Sequence, residues 1–98
     1  MENVVLINPF EVEEGKEDEF LRRWQQAADH MRTQPGFVNT RLHRAVLPDA
    51  RFGFVNVAEW RSAKDWQAAM SSSRIRALRE EWSWPPSYPS LYEVVRAL

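Results

Sequence analysis

The sequence predicts a single α+β domain over residues 1–98, and three observations carry that prediction. Period-two alternation marks one strand near the N-terminus, two in the middle and one near the C-terminus. Stripes of period 3.6 separate the first strand from the second and the third from the last. A chain of 98 residues has room for one core only.

The first strand is expected from Val4 to Val12, with Leu6, Asn8, Phe10 and Val12 on one side and Val5, Ile7 and Pro9 on the other. Pro9 offers no ladder donor and suits an edge or a strand end. After the turn at Glu13–Gly15, a helix is predicted from Lys16 to Thr33. Phe20, Trp24, Ala27, Ala28 and Met31 form its apolar stripe, and Glu17, Asp18 and Glu19 suit its positive N-terminal end. Pro35 and Gly36 stop it.

Phe37–Val46 and Phe52–Trp60 read as a hairpin across a turn at Pro48-Asp49. In its second arm Phe54, Asn56, Ala58 and Trp60 share a side. Ser62 is a cap for a helix carrying Trp66, Ala69 and Met70, with Asp65 placed as in a capping box. Ser71–Ser73 interrupt it, and a second short helix follows from Arg74 to Glu81. Trp82–Pro89 holds three prolines among aromatic residues and is a rigid extended arm, suited to packing on a partner subunit. A last strand is expected from Leu91 to Ala97.

The order β-α-β-β-α-β gives a four-stranded antiparallel sheet with helices on one face, the ferredoxin-like arrangement. Such a sheet leaves its other face bare, and a second copy of the chain is the expected cover. Five Trp, five Phe and two Tyr supply more ring surface than so small a core needs, which points to a partner or ligand.

Composition narrows the function classes. A net charge of -1 gives no pull toward nucleic acid or anionic membranes. Without cysteine there is no disulfide, thiolate metal site or Cys nucleophile. Two distant histidines make no metal-ligand spacing, and three scattered glycines make no phosphate loop. The N-terminus has no secretory signature, and a cytoplasmic location is expected.

The residues Asn8-Pro9-Phe10-x-Val12, Phe20-x-x-x-Trp24, Pro35-Gly36-Phe37, Arg41-Leu42-His43, Phe54 through Trp60 with Ser62, and Leu91-Tyr92-Glu93-Val94 resemble the antibiotic biosynthesis monooxygenase family of dimeric α+β barrels. The resemblance runs from about Val4 to Val95. It implies a homodimer and, in one branch, oxidation of tricyclic aromatic anthrones by molecular oxygen with no cofactor. That branch pairs an Asn with a Trp four residues on, as Asn56 and Trp60 are spaced. It also uses a Tyr on the following helix, where this sequence has Trp66 instead, and an Arg further along it, close to Arg79. Haem-degrading members use an Asn, a Trp and a His; Asn8 matches the first, while Ala69 and Arg79 occupy the other two positions.

The expected function is therefore cofactor-independent monooxygenation of a small aromatic or phenolic, polyketide-like substrate. The alternatives are a non-catalytic dimer binding a hydrophobic small molecule and a haem-binding protein using His30 or His43. Such oxygenation needs donors aimed at a developing oxyanion in a dry pocket. Asn56, Trp60, Trp66 and Arg79 are the candidates for that work. Asn8, Phe10, Trp24, Phe54 and His43 are the candidate substrate contacts, with His43 able to serve equally as a general base or as a bond across the dimer face.

Overall fold

A computed structural model describes residues 2–98. The elements are β1 (Val4–Phe10), α1 (Glu17–Met31), β2 (Phe37–Arg44), β3 (Phe54–Trp60), α2 (Ala63–Met70), α3 (Ser73–Glu80) and β4 (Ser90–Tyr92). They build one four-stranded antiparallel sheet in the order β2-β3-β1-β4. This is the ferredoxin-like topology, with β1 and β3 central and the helices on one face.

Local chemistry explains the boundaries. Ser62 Oγ accepts from Asp65 N–H at 3.1 Å and caps α2, while Ser72 Oγ accepts from Ile75 N–H at 3.3 Å and caps α3. The serine run thus ends one helix and starts the next. Gly36 adopts φ +86°, and a Cβ there would overlap the Asp65 side chain. The turn after α1 and the α2 cap are locked together by that close approach.

All four predicted strands are too long, β2 and β3 by two residues each at their shared loop. β1 ends at Phe10 because Glu11 N–H donates to Pro86 O at 2.9 Å, handing the chain from the β3 ladder to the proline-rich arm. β4 stops at Tyr92 instead of Ala97. Its register sets Tyr92 opposite Val5, so residues from Val94 onward run past the start of β1 at Val4 and find no ladder partner. Val94 and Val95 are exposed as a result.

The inward faces of β1 and β3 alternate strictly. Leu6, Phe10, Phe54, Asn56, Ala58 and Trp60 are buried, and their sequence neighbours are less so. Two clusters form the core. One joins Leu6, Ala58, Trp60 and Ala69; the other joins Phe10, Phe20 and Phe54. Phe20 meets Phe10 edge-on at 4.8 Å and Phe54 at 5.0 Å between ring centroids. Between the clusters, sheet and helices do not touch.

β2 carries a bulge. Phe37 pairs with Trp60 and Asn39 with Glu59, so Val38 is an extra residue. The bulge shifts the parity of the whole strand: after inward Phe37, it is Thr40 and Leu42 that face the helices, and Arg41 and His43 face away.

The arm from Trp82 to Pro89 is pinned to its own chain at several points, while Pro86, Tyr88 and Pro89 stay exposed. Trp84 Nε1 donates to Leu78 O at 3.0 Å, Ser87 bridges to Phe10, and Tyr88 N–H donates to Pro9 O at 3.2 Å. Arg51 fastens the hairpin loop to the same region. It donates to Glu11 at 2.6 Å and stacks on Phe52 and Tyr88, and the Glu11 bond raises its pKa. No helix among the described residues is long and apolar enough to cross a membrane.

Candidate active site

The gap between the two core clusters is a cavity of about 330 Å³, at the small end of the range for organic ligands. Its floor is the inward face of β1 and β3, with Leu6, Asn8, Asn56, Ala58 and Trp60. α1 contributes Trp24, Ala28 and Met31; α2 contributes Trp66 and Met70; α3 contributes Ile75, Leu78 and Arg79. Trp84, Ser87 and Pro89 of the arm close one end, and Phe37 and Thr40 come from β2. Seven of the nine predicted site residues line this space: Asn8, Phe10, Trp24, Asn56, Trp60, Trp66 and Arg79.

Two predicted contacts lie elsewhere. Phe54 has the inward parity, but Phe20 covers it and makes it core. His43 is on the helix-free face, exposed, with Nδ1 3.3 Å from Val55 O. The bulge at Val38 put it there. His30, at the end of α1, is half-buried and its Nε2 lies 3.1 Å from Ser72 Oγ. Neither histidine reaches the cavity, so the lining provides no imidazole to ligate haem, and a histidine-held haem does not fit this space.

The polar atoms of the lining are few and unevenly satisfied. Asn8 and Asn56 are direct partners across the β1–β3 ladder, so their amides stand side by side. Thr40 Oγ1 donates to Asn56 Oδ1 at 2.5 Å. Asn8 Oδ1 and Trp66 Nε1 are buried and have no hydrogen-bond partner. A third such atom, Arg23 Nε, belongs to a side chain stacked on Trp82, outside the lining. Burying an amide oxygen or an indole N–H unpaired costs about 1–3 kcal/mol each. An acceptor and a donor both left bare in one apolar cavity match the needs of a bound polar group.

Among the described lining residues there is no Asp, Glu, His, Lys or Tyr; Arg79 is the one ionisable side chain. Arg79 is itself exposed, as Arg74 and Arg76 of the same helix are, so it meets the cavity from the solvent side. No group of His, Asp and Glu among the described residues is placed to hold a metal ion. The polar groups the lining offers are thus neutral amides, hydroxyls and indole N–H groups, with the exposed Arg79 as the one cation.

Sequence reasoning missed Thr40, Trp84 and Ser87. Thr40 is hidden by the bulge, which no residue type announces. The cavity contacts of Trp84 and Ser87 are not legible because proline marks rigidity but not direction.

Fold and site together define an α+β domain of ferredoxin-like topology with an aromatic-walled, donor-lined cavity between sheet and helices. The chain belongs to the antibiotic biosynthesis monooxygenase family, whose model matches residues 3–81. Among solved structures, a protein from Shewanella loihica PV-4 assigned as a monooxygenase is 36% identical, covering 97% of this chain and 96% of its own, at a TM-score of 0.85. SnoaB, a cofactor-independent oxygenase from Streptomyces nogalater, is 26% identical over 100% of this chain and 98% of its own, at a TM-score of 0.80. A haem-degrading protein from Mycobacterium tuberculosis is 25% identical over 98% and 94%, at a TM-score of 0.72. No curated protein sequence matches the chain significantly.

Proposed function

We propose that the protein is a cofactor-independent monooxygenase that oxidises a small phenolic aromatic substrate with molecular oxygen in this cavity. The observation that carries the reading is the pair of bare polar atoms, Asn8 Oδ1 and Trp66 Nε1, beside the Asn56–Trp60 pair. Similarity to SnoaB supports the reaction class. The loss of an imidazole from the cavity weighs against the haem chemistry of the mycobacterial relative.

The chemistry balances without an external reductant. A substrate methylene between two aromatic rings, conjugated through them to a carbonyl, loses a proton and becomes an enolate. The enolate gives one electron to oxygen, the two radicals combine, and the peroxide anion takes a proton from solvent and loses water. One CH₂ and one O₂ become one C=O and one H₂O. Asn56, Trp66 and Arg79 stabilise the enolate oxygen, and the ring walls exclude water from the radical pair. With no carboxylate or imidazole in the lining, the substrate supplies its own acidity and its proton leaves through solvent. Turnover therefore rises with pH through the substrate's own ionisation and carries no second, protein-derived step between pH 5 and 8.

We infer a homodimer, built on the helix-free face of the sheet. Val5, Ile7, Val55 and Val57 make that face apolar, and Tyr92 on it is 51% exposed in the single chain. Oxygen uptake on adding a hydroxyanthrone, in buffer freed of metals by a chelator, tests the activity. Uptake with formation of the ketone supports the reading. Saturable binding with no uptake would replace it with a non-catalytic binding protein.

A further inference from the structure

We propose that Thr40 is a positioning residue that holds Asn56 as a hydrogen-bond donor beside the bare acceptor of Asn8. The cavity is thereby matched to an aromatic carrying two neighbouring oxygens, bound as its monoanion. The proposal deepens the phenolic reading of the cavity and rests on it for the ligand class.

The 2.5 Å between Thr40 Oγ1 and Asn56 Oδ1 is the spacing of an O–H···O bond. An N–H···O bond would sit near 2.9 Å, so the hydroxyl donates and the amide oxygen accepts. Asn56 is 9% exposed, and its oxygen is thereby engaged with β2. Its NH₂ is the group left to serve the cavity. Without the hydroxyl, the amide could turn over and present oxygen instead.

The fold does not need this hydroxyl. Thr40 sits in a strand opposite Ala58, half-buried, where valine has the same shape and equal strand preference. What the hydroxyl adds is polarity. Asn8, the ladder partner of Asn56, offers Oδ1 with no partner of its own. Cross-strand partners hold their Cβ atoms about 5 Å apart, so the acceptor and the donor face one edge of a ring system. A hydroxyl satisfies Asn8 and an adjacent oxyanion satisfies Asn56, with Trp66 Nε1 as a further bare donor. A quinone, which has acceptors only, would leave Asn8 bare.

The test uses 4-nitrocatechol, whose monoanion is coloured and sets a hydroxyl beside an oxyanion. Its first ionisation is followed by absorbance, free and bound, in chelator-treated buffer. Wild type and Thr40→Ser are expected to lower the bound ionisation. In Thr40→Val that lowering should shrink by about one pH unit, a tenfold loss of preference for the monoanion. An unshifted ionisation in wild type, or equal shifts in Thr40→Val and Thr40→Ser, would overturn the proposal. Nuclear Overhauser contacts of the Asn56 amide protons give a second readout that needs no ligand. They should favour cavity residues in wild type and Thr40→Ser, and move toward the position-40 methyls in Thr40→Val. If wild type does not bind the probe, the phenolic reading falls and takes the ligand class with it. The amide contacts still decide the role of Thr40, and an amide unmoved in Thr40→Val would remove it.

Discussion

The two faces of one sheet are made by alternate residues of the same strands, and they have opposite fates. On β1 and β3 the inward set is Leu6, Asn8, Phe10, Phe54, Asn56, Ala58 and Trp60; the outward set is Val5, Ile7, Pro9, Val55, Val57 and Glu59. The outward face combines four β-branched residues with Glu59, Arg41 and His43. The inward face is aromatic and aliphatic apart from two asparagines, and it is the one the helices cover. Hydrophobic burial alone would have put no asparagine there. The difference teaches that the inward face is arranged around a space that accepts polar atoms, and that the outward face is suited to another copy of the chain.

Several substitutions would break or sharpen this contrast. The largest effect is expected at Trp60, 1% exposed on the inward face. Trp60→Ala should lower unfolding stability by about 3–5 kcal/mol in urea titration, as large-to-small core changes do. A loss below ~1 kcal/mol would mean the ring is cavity lining without structural weight. On the outward face, Val57→Lys should convert dimer to monomer in sedimentation velocity while leaving ligand affinity intact. A variant that remains a dimer would move the interface off this face.

Asn56→Ala should reduce turnover by about a hundredfold, the lower end of what loss of an oxyanion donor costs. Trp60→Phe keeps the ring and removes the indole N–H. An unchanged rate in it would take that N–H out of the mechanism. Asn8→Leu removes a buried carbonyl with no partner and should stabilise the empty protein by about 1 kcal/mol in thermal unfolding while weakening the ligand. Stabilisation together with unchanged affinity would make Asn8 a packing defect, not a contact. The smallest effect belongs to His43→Ala, exposed on the far face: within about ±0.5 kcal/mol in stability and no change in rate. A lost rate there would put a base outside the cavity.

Much of this was legible in the sequence because two periods do not resemble each other. Phe20, Trp24, Ala28 and Met31 can share a face only on a helix, and Phe54, Asn56, Ala58 and Trp60 only on a strand. The spacing of Asn56 and Trp60 therefore also placed both on one wall. The side His43 takes was not legible because the bulge reverses parity after Phe37, and Val38 is as ordinary a strand residue as its neighbours. The length of β4 was hidden for another reason: it is set by where β1 begins, a property of the partner strand rather than of Leu91–Ala97. Thr40 is the sharper lesson. Its type fits a strand so well that nothing marked it, and its meaning depends on which amide it meets.

The central claim is that the bare atoms of the cavity are ligand contacts, and a crystal structure grown with a hydroxyanthrone under argon tests it most directly. The account predicts the ring system between sheet and helices, with substrate oxygens within hydrogen-bond distance of Asn8 Oδ1 and Trp66 Nε1. A cavity filled by its own side chains at saturating ligand, or a ligand seated on the helix-free face, would contradict it.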